Sequence, residues 1–294
     1  MKTHNYFLLI LFLCLAKLGY AQNLLHGHVK ESLVMPSKIL GEEVKYTIYL
    51  PYDYKTSQRK YPVVYLLHGY SDDDTGWLQF GEANRIADNA IASGEIPPMI
   101  LVMPDAKVTW YINDYKGKTR YEDMLIEELI PFIDKTYHTR TSKRYRAIAG
   151  LSMGGCGSLV LAMHHPDLFS SCVAFSAAVW TDEQIKERGN YQDFLGNIFG
   201  DNLQGDARVN EHWKANSPIY LAKGDKVEKI RSVRFYLDCG DDDFLTIGNA
   251  MLHATMVQNE IKHEYRVRDG AHNWDYWRTG LANGLKFIGK SFHQ

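Results

Sequence analysis

Cysteine is scarce in this chain: four in 294 residues, one of them inside an N-terminal apolar run. The other three, Cys156, Cys172 and Cys239, are odd in number, which excludes a disulfide-stapled scaffold. They sit in helical or apolar strand-like stretches and read as small buried hydrophobes, with a single disulfide among them left open. A dominant charge is also missing. Lys and Arg number 33 against 35 Asp and Glu, the net charge is -2, and no basic block or long acidic run occurs. A nucleic-acid partner is therefore not expected. No repeat or low-complexity linker divides the chain, and no spacing matches an EF-hand or a zinc cluster. Neither a metal nor an organic cofactor is called for.

Long hydrophobic runs are lacking too, with one exception. Lys2 precedes an apolar run over 6–16 that is too short to span a bilayer comfortably. Gly19-Tyr20-Ala21 then offers small residues for cleavage, so 1–21 reads as a signal peptide with Gln22 as the mature start. The plainer reading is a buried N-terminal helix. The signal reading implies a secreted or periplasmic protein with no stable membrane insertion once the signal is removed. Residues 22–294 are then ordinary globular composition for one large α/β domain.

What the chain does have is a series of short apolar runs alternating with helical stretches. The run 44–50 alternates and ends at Pro51, so it predicts an antiparallel edge strand. The runs 61–67 and 99–103 are continuously apolar, as central strands covered on both faces must be. Thr119 and Glu122 fit a capping box before a helix carrying Tyr121, Met124, Leu125, Leu129, Phe132, Ile133 and Tyr137, which Pro131 should kink or split. Further strands are predicted at 147–149, 171–175, 232–237 and 264–268, then a C-terminal helix holding Trp277, Leu281, Leu285 and Ile288. Such alternation implies a mostly parallel sheet with helices on both faces. One long excursion, 179–231, separates two strands; it reads as a cap insertion over the site, or else as a surface subdomain.

The chain is organised around Gly150-Leu151-Ser152-Met153-Gly154, which fits G-x-S-x-G. By itself a match of this kind arises by chance in roughly one chain in ten of this size. Its context is more specific: a buried strand leads in and a helix leads out to Pro166, as a nucleophile elbow requires. The serine is forced into a cramped backbone conformation, so its neighbours need glycines without a Cβ. Ser152 is the candidate nucleophile, and the Met153 N–H a candidate donor to an oxyanion.

A serine hydroxyl needs a base, and the base a third group to hold its tautomer. In the order serine, acid, histidine, the acid belongs after the strand ending at Asp238-Cys239-Gly240-Asp241-Asp242-Asp243. Asp243, beyond the reversal at Gly240, is favoured, with Asp242 as the alternative; Asp241 reads as solvated and Asp238 as part of the strand. Of 12 histidines, His272 alone combines a preceding strand, a glycine turn and a following helix, and is the candidate base. His164 and His165, before Pro166, read as helix-end caps. A second oxyanion donor is expected at Tyr70 in His68-Gly69-Tyr70, where Gly69 permits close backbone approach.

The stretches Tyr65-Leu66-Leu67-His68-Gly69, Thr119-Arg120-Tyr121-Glu122-Asp123, Gly150 to Gly155, Cys239 to Asp243 and His272-Asn273-Trp274 together resemble the esterase D and feruloyl esterase branch of the α/β-hydrolases. The resemblance runs from about Val44 to the C-terminus. It implies the α/β-hydrolase fold and places the acid at the last residue of its cysteine-glycine-x-x-aspartate stretch, Asp243. It also implies a serine carboxylesterase acting on feruloyl or acetyl esters of plant polysaccharide such as xylan. A small-acyl esterase or an acyltransferase is the alternative within the fold. A catalytically dead carbohydrate-binding module is disfavoured by the intact Ser, Asp and His. Trp110, Tyr111, Trp180 and Trp274 are candidates for a phenolic slot, against the plainer reading that they pack the interior.

Overall fold

Apolar runs without alternation must be covered on both faces, and these runs form the middle of the sheet. The computed structural model describes residues 26–293. The apolar N-terminal run and the cleavage motif lie outside them. Eight strands are β1 (His28–Pro36), β2 (Glu43–Leu50), β3 (Val63–Leu67), β4 (Ile100–Pro104), β5 (Arg146–Leu151), β6 (Ser171–Phe175), β7 (Arg234–Gly240) and β8 (His263–Arg268). Their order is β1-β2-β4-β3-β5-β6-β7-β8. β1, β2 and β4 pair antiparallel, and every pairing from β4 through β8 is parallel.

Alternate residues of the central strands serve two cores. Val63, Tyr65 and Leu67 join one cluster, while Val64 and Leu66 join the other. Helices α1 (Ala83–Ala92) and α5 (Trp274–His293) cover the second face; Trp277, Leu281, Leu285 and Ile288 lie in that core. Helices α2 (Ile130–Thr136), α3 (Met153–His164) and α4 (Thr246–Gln258) cover the first. Among the described residues no helix is long and apolar enough to cross a membrane.

Two expectations are corrected. The strand at 44–50 is antiparallel but not at the edge, because β1 pairs along it. β1 is mostly exposed and bulges between Lys30 and Leu33, where Ser32 has φ 48°, so it carries no clear two-residue hydrophobic period. The capping box at Thr119 and Glu122 does not form. The Thr119 N–H donates to Asp114, and the Glu122 carboxylate accepts instead from His164 Nδ1 and His165 Nε2, each at 2.8 Å. The paired histidines thus bind this carboxylate, and His164 Nε2 also donates to the Ala215 carbonyl at 2.8 Å. Pro131 falls in the first turn of α2, so the helix is split beside it as expected. A π turn at Met124–Leu129 precedes α2, and its wider register absorbs the proline that an α-helical interior would reject.

Residues 179–231 form a run of short helical segments, the first capped by a true reciprocal box between Thr181 and Gln184. The segment packs on the loop after β4: the Tyr115 N–H donates to the Ile198 carbonyl, and Lys116 pairs with Asp201.

Candidate active site

β5 delivers its last residue into a turn that only a few backbones can make. Ser152 has φ 52° and ψ −116°, in the half of the map that a residue with a Cβ seldom occupies. The surroundings hold it there. Its N–H donates to Phe175 at 2.9 Å, and its carbonyl accepts from Ala178 at 2.9 Å and Cys156 at 3.0 Å. The flanking glycines are needed for close approach rather than for a positive φ. A Cβ on Gly150 would stand 2.3 Å from the Gly154 carbonyl oxygen, and one on Gly154 would stand 2.5 Å from those of Leu67 and His68.

The acid and histidine loops meet beside this turn. A Cβ on Gly240 would stand 2.0 Å from the Gly270 oxygen, so only glycine lets the two loops touch. Ser152 Oγ lies 3.0 Å from His272 Nε2, and His272 Nδ1 lies 2.9 Å from Asp243 Oδ2 and 3.1 Å from Oδ1. The structure brings Asp243, not Asp242, to the histidine. Asp242 is exposed, and Asp241 accepts from the Gly270 N–H. Asp238 is buried in the strand, where it receives Arg268, Tyr276 and Tyr236. Burial works to raise the Asp243 pKa, but hydrogen bonds from His272 and Ser176, the histidine's charge and the Leu245 N–H outweigh it and hold the carboxyl below its ordinary value.

Two supporting residues escaped the sequence reading. Ser176 is fully buried with φ 42°; its oxygen accepts from the Trp277 indole at 2.9 Å, which leaves its own proton for Asp243. His68 is buried and bridges two loops. Its Nδ1–H donates to the Gly69 carbonyl at 2.7 Å, and Nε2 accepts from the Ala106 N–H at 2.9 Å. Nothing in the local sequence marks Ser176; His68 stands in the loop already singled out for the oxyanion, but its bridge to Ala106 shows only in the fold.

Met153 opens α3, so its N–H has no partner within the helix. Among the described residues, neither the Met153 nor the Tyr70 N–H finds an acceptor. Both sit where the elbow meets the loop after β3, with a Gly69 Cβ position 3.8 Å from the Ser152 Cβ.

The four aromatic candidates do not come together. Trp110 and Trp180 share one cluster, ring centroids 5.4 Å apart, in which Phe194 of the 179–231 segment lies 5.1 Å from Trp110 and 4.3 Å from Tyr70. Tyr111 is completely buried beside Gly157 of α3 and donates its hydroxyl to the His68 carbonyl, so it packs the interior instead of lining a slot. Trp274 meets Trp77 and Trp277 edge-on and Phe80 at a tilt, on the other face of the sheet. A ring not singled out from sequence, Phe244, lies 4.6 Å from the His272 ring and is 65% exposed. The three cysteines are free and buried; burial pushes the Cys156 thiol up to about 12 and makes it a poor nucleophile.

A strained serine between strand and helix, above a mostly parallel sheet and beside a histidine loop, defines an α/β-hydrolase. Comparison with known proteins narrows the class. The chain belongs to the family described as putative esterase, which matches residues 37–288, and within the α/β-hydrolases to the feruloyl esterase branch. It is 37% identical over 180 residues to an endo-1,4-beta-xylanase/feruloyl esterase of Xylanibacter ruminicola, a match covering 58% of this chain and 24% of that relative. It is 25% identical to an acetyl esterase of Caldicellulosiruptor saccharolyticus over 77% of this chain and 83% of the relative. A solved ferulic acid esterase superposes with a TM-score of 0.77 at 31% identity, covering 91% of this chain and 99% of the other. The protein is a carboxylic ester hydrolase.

Proposed function

We propose that the protein is an exported serine esterase that removes feruloyl or acetyl groups from plant polysaccharide such as xylan, through Ser152, His272 and Asp243. The observation that carries the reading is the continuous hydrogen-bonded line from Ser152 Oγ through His272 to Asp243, at 3.0 and 2.9 Å. Ser152 Oγ attacks the ester carbonyl while His272 Nε2 takes its proton. Asp243 keeps the other proton on Nδ1 and stabilises the imidazolium. The tetrahedral oxygen accepts from the Tyr70 and Met153 N–H groups. His272 then returns its proton to the departing alcohol, leaving an acyl-enzyme, and a water repeats the sequence to release the acid. The relatives' names favour hydroxycinnamoyl and acetyl groups, and the apolar run over 6–16, followed by Gly19-Tyr20-Ala21, favours export.

The test is kcat/KM on methyl ferulate beside 4-nitrophenyl acetate, with Ser152→Ala as the blank. Loss of on the order of 10³-fold or more in that variant is expected. Retained turnover would refute the mechanism. A ferulate value at or above the acetate value supports an aromatic acyl pocket, and activity on acetate alone moves the substrate to small acyl groups.

A further inference from the structure

Arg188, in the 179–231 segment, is an arginine without an anion. Its guanidinium carbon lies 4.8 Å from the Trp180 ring centroid and 4.6 Å from that of Phe194. Its Nε is buried with no hydrogen-bond partner, the one arginine nitrogen in that condition among the described residues. No carboxylate of the described residues pairs with it, and burial lowers its pKa with nothing opposing. Neighbouring Arg208 shows the ordinary solution: it lies over the Tyr191 ring and donates to the carbonyls of Leu203, Ile185, Lys186 and Arg188. Buried Arg146 likewise has Asp134.

The two rings that carry Arg188 adjoin the loop and the turn that form the candidate catalytic centre. Phe194 packs 4.3 Å from the ring of Tyr70, whose N–H is the proposed oxyanion donor. Trp180 follows two residues after Ala178, whose N–H holds the Ser152 carbonyl. A guanidinium set over two aromatic rings that stand at 80° to each other is restricted in orientation, and its fork matches a carboxylate. Holding such a cation half-buried and unpaired is unfavourable for the free protein. The arrangement becomes favourable when a ligand supplies the anion.

We propose that Arg188 is a specificity-determining residue that receives a carboxylate borne by the substrate, so that acidic esters are preferred over neutral ones of the same size. This rests on the esterase reading of Ser152. The carboxylate has two possible sources, a half-ester acyl group or a uronic acid on the polysaccharide side, and a paired assay separates them. The acyl arm compares 4-nitrophenyl hemisuccinate with 4-nitrophenyl butyrate. The alcohol arm compares an acetylated uronic-acid-bearing xylo-oligosaccharide with its neutral counterpart.

The wild type is expected to favour the acidic member of one pair. Arg188→Gln should lower kcat/KM for that member by roughly 10- to 100-fold, mainly through KM, and leave the neutral member within about twofold. In the wild type alone, added salt should depress turnover of the acidic ester selectively, a reading that does not depend on the variant folding. Equal losses on both members, or no acidic preference and no selective salt effect in either pair, would overturn the proposal. Fluorophosphonate labelling of the wild type and of Ser152→Ala keeps the two readings apart. A labelled, active wild type that ignores substrate charge sinks only the role of Arg188, whereas a wild type that neither labels nor turns over neutral ester sinks the esterase reading beneath it.

Discussion

Gly154→Ala is the sharpest perturbation of the elbow. The added Cβ would stand 2.5 Å from the carbonyl oxygens of Leu67 and His68 and 2.6 Å from the Leu67 carbonyl carbon. A carbon normally approaches a carbonyl oxygen to about 3.3 Å, so the backbones must part by roughly 0.8 Å. Neither side is free to yield. Leu67 is paired with Gly150 across β3 and β5 and accepts from the Trp77 indole at 2.9 Å. On the other side, Gly154 is the second residue of α3, next to the Met153 N–H. Overpacking of this kind destabilises by about 1–3 kcal/mol, which lowers Tm by several degrees in a domain of this size. The displacement falls on His68-Gly69-Tyr70 and on Met153, the two arms of the proposed oxyanion site. A misplacement near 1 Å there lowers rate by about 10²-fold. The expected result is a folded enzyme with kcat reduced by about 10² and KM little changed, because the damage concerns a group that strengthens its hold only in the transition state. Gly189→Ala is the control, since nothing lies within 4 Å of its Cβ position. Wild-type kcat in Gly154→Ala, with Tm lowered or not, would refute the claim that the first turn of α3 and the loop after β3 jointly position the oxyanion donors.

Three further outcomes are expected. Asp243→Asn should lower kcat by up to about 10⁴ while Asp242→Asn stays within about twofold, since only the first reaches His272; comparable losses in both would reassign the acid. Ser176→Ala removes a donor that holds the Asp243 carboxyl down, so kcat/KM should fall roughly tenfold and the acid limb of its pH profile should move to higher pH; an unmoved limb would leave Ser176 a packing residue. Glu122 is held near 2, burial raising it but the hydrogen bonds and charges of His164 and His165 prevailing, while the His164 pKa is raised, burial lowering it but the Glu122 contact prevailing. The carboxylate's contribution is present above its unfolded value of about 4.3 and lost as pH falls toward 2; that of His164 is full below about 6.5 and lost as pH rises through its raised value. Tm should therefore peak between about pH 4.5 and 6.5, and Glu122→Gln should flatten both flanks in a pH series of thermal melts.

The sequence by itself determined what depends on covalent neighbours and on chain order. The glycines about Ser152, the apolar runs of β3 to β7 and the order serine, aspartate, histidine all follow from periods of two or three to four residues and from a topology that places each loop at one end of a parallel sheet. Only the tertiary structure decided what depends on partners distant in the chain. Glu122 left its own helix start because His164 and His165 offer charge-assisted bonds from 42 and 43 residues away. β1 displaced β2 from the edge with few buried residues to announce it. Trp274, equal to Trp110 and Trp180 on paper, was separated from them by the face of the sheet it reached, and Tyr111, on their face, by its complete burial against α3. Ser176 and Arg188 have ordinary surroundings along the chain, and the motif around His68 does not show what its ring holds. What singles them out is a buried carboxylate, a pair of loop backbones and an unanswered positive charge, and those are set by the packing of the folded chain.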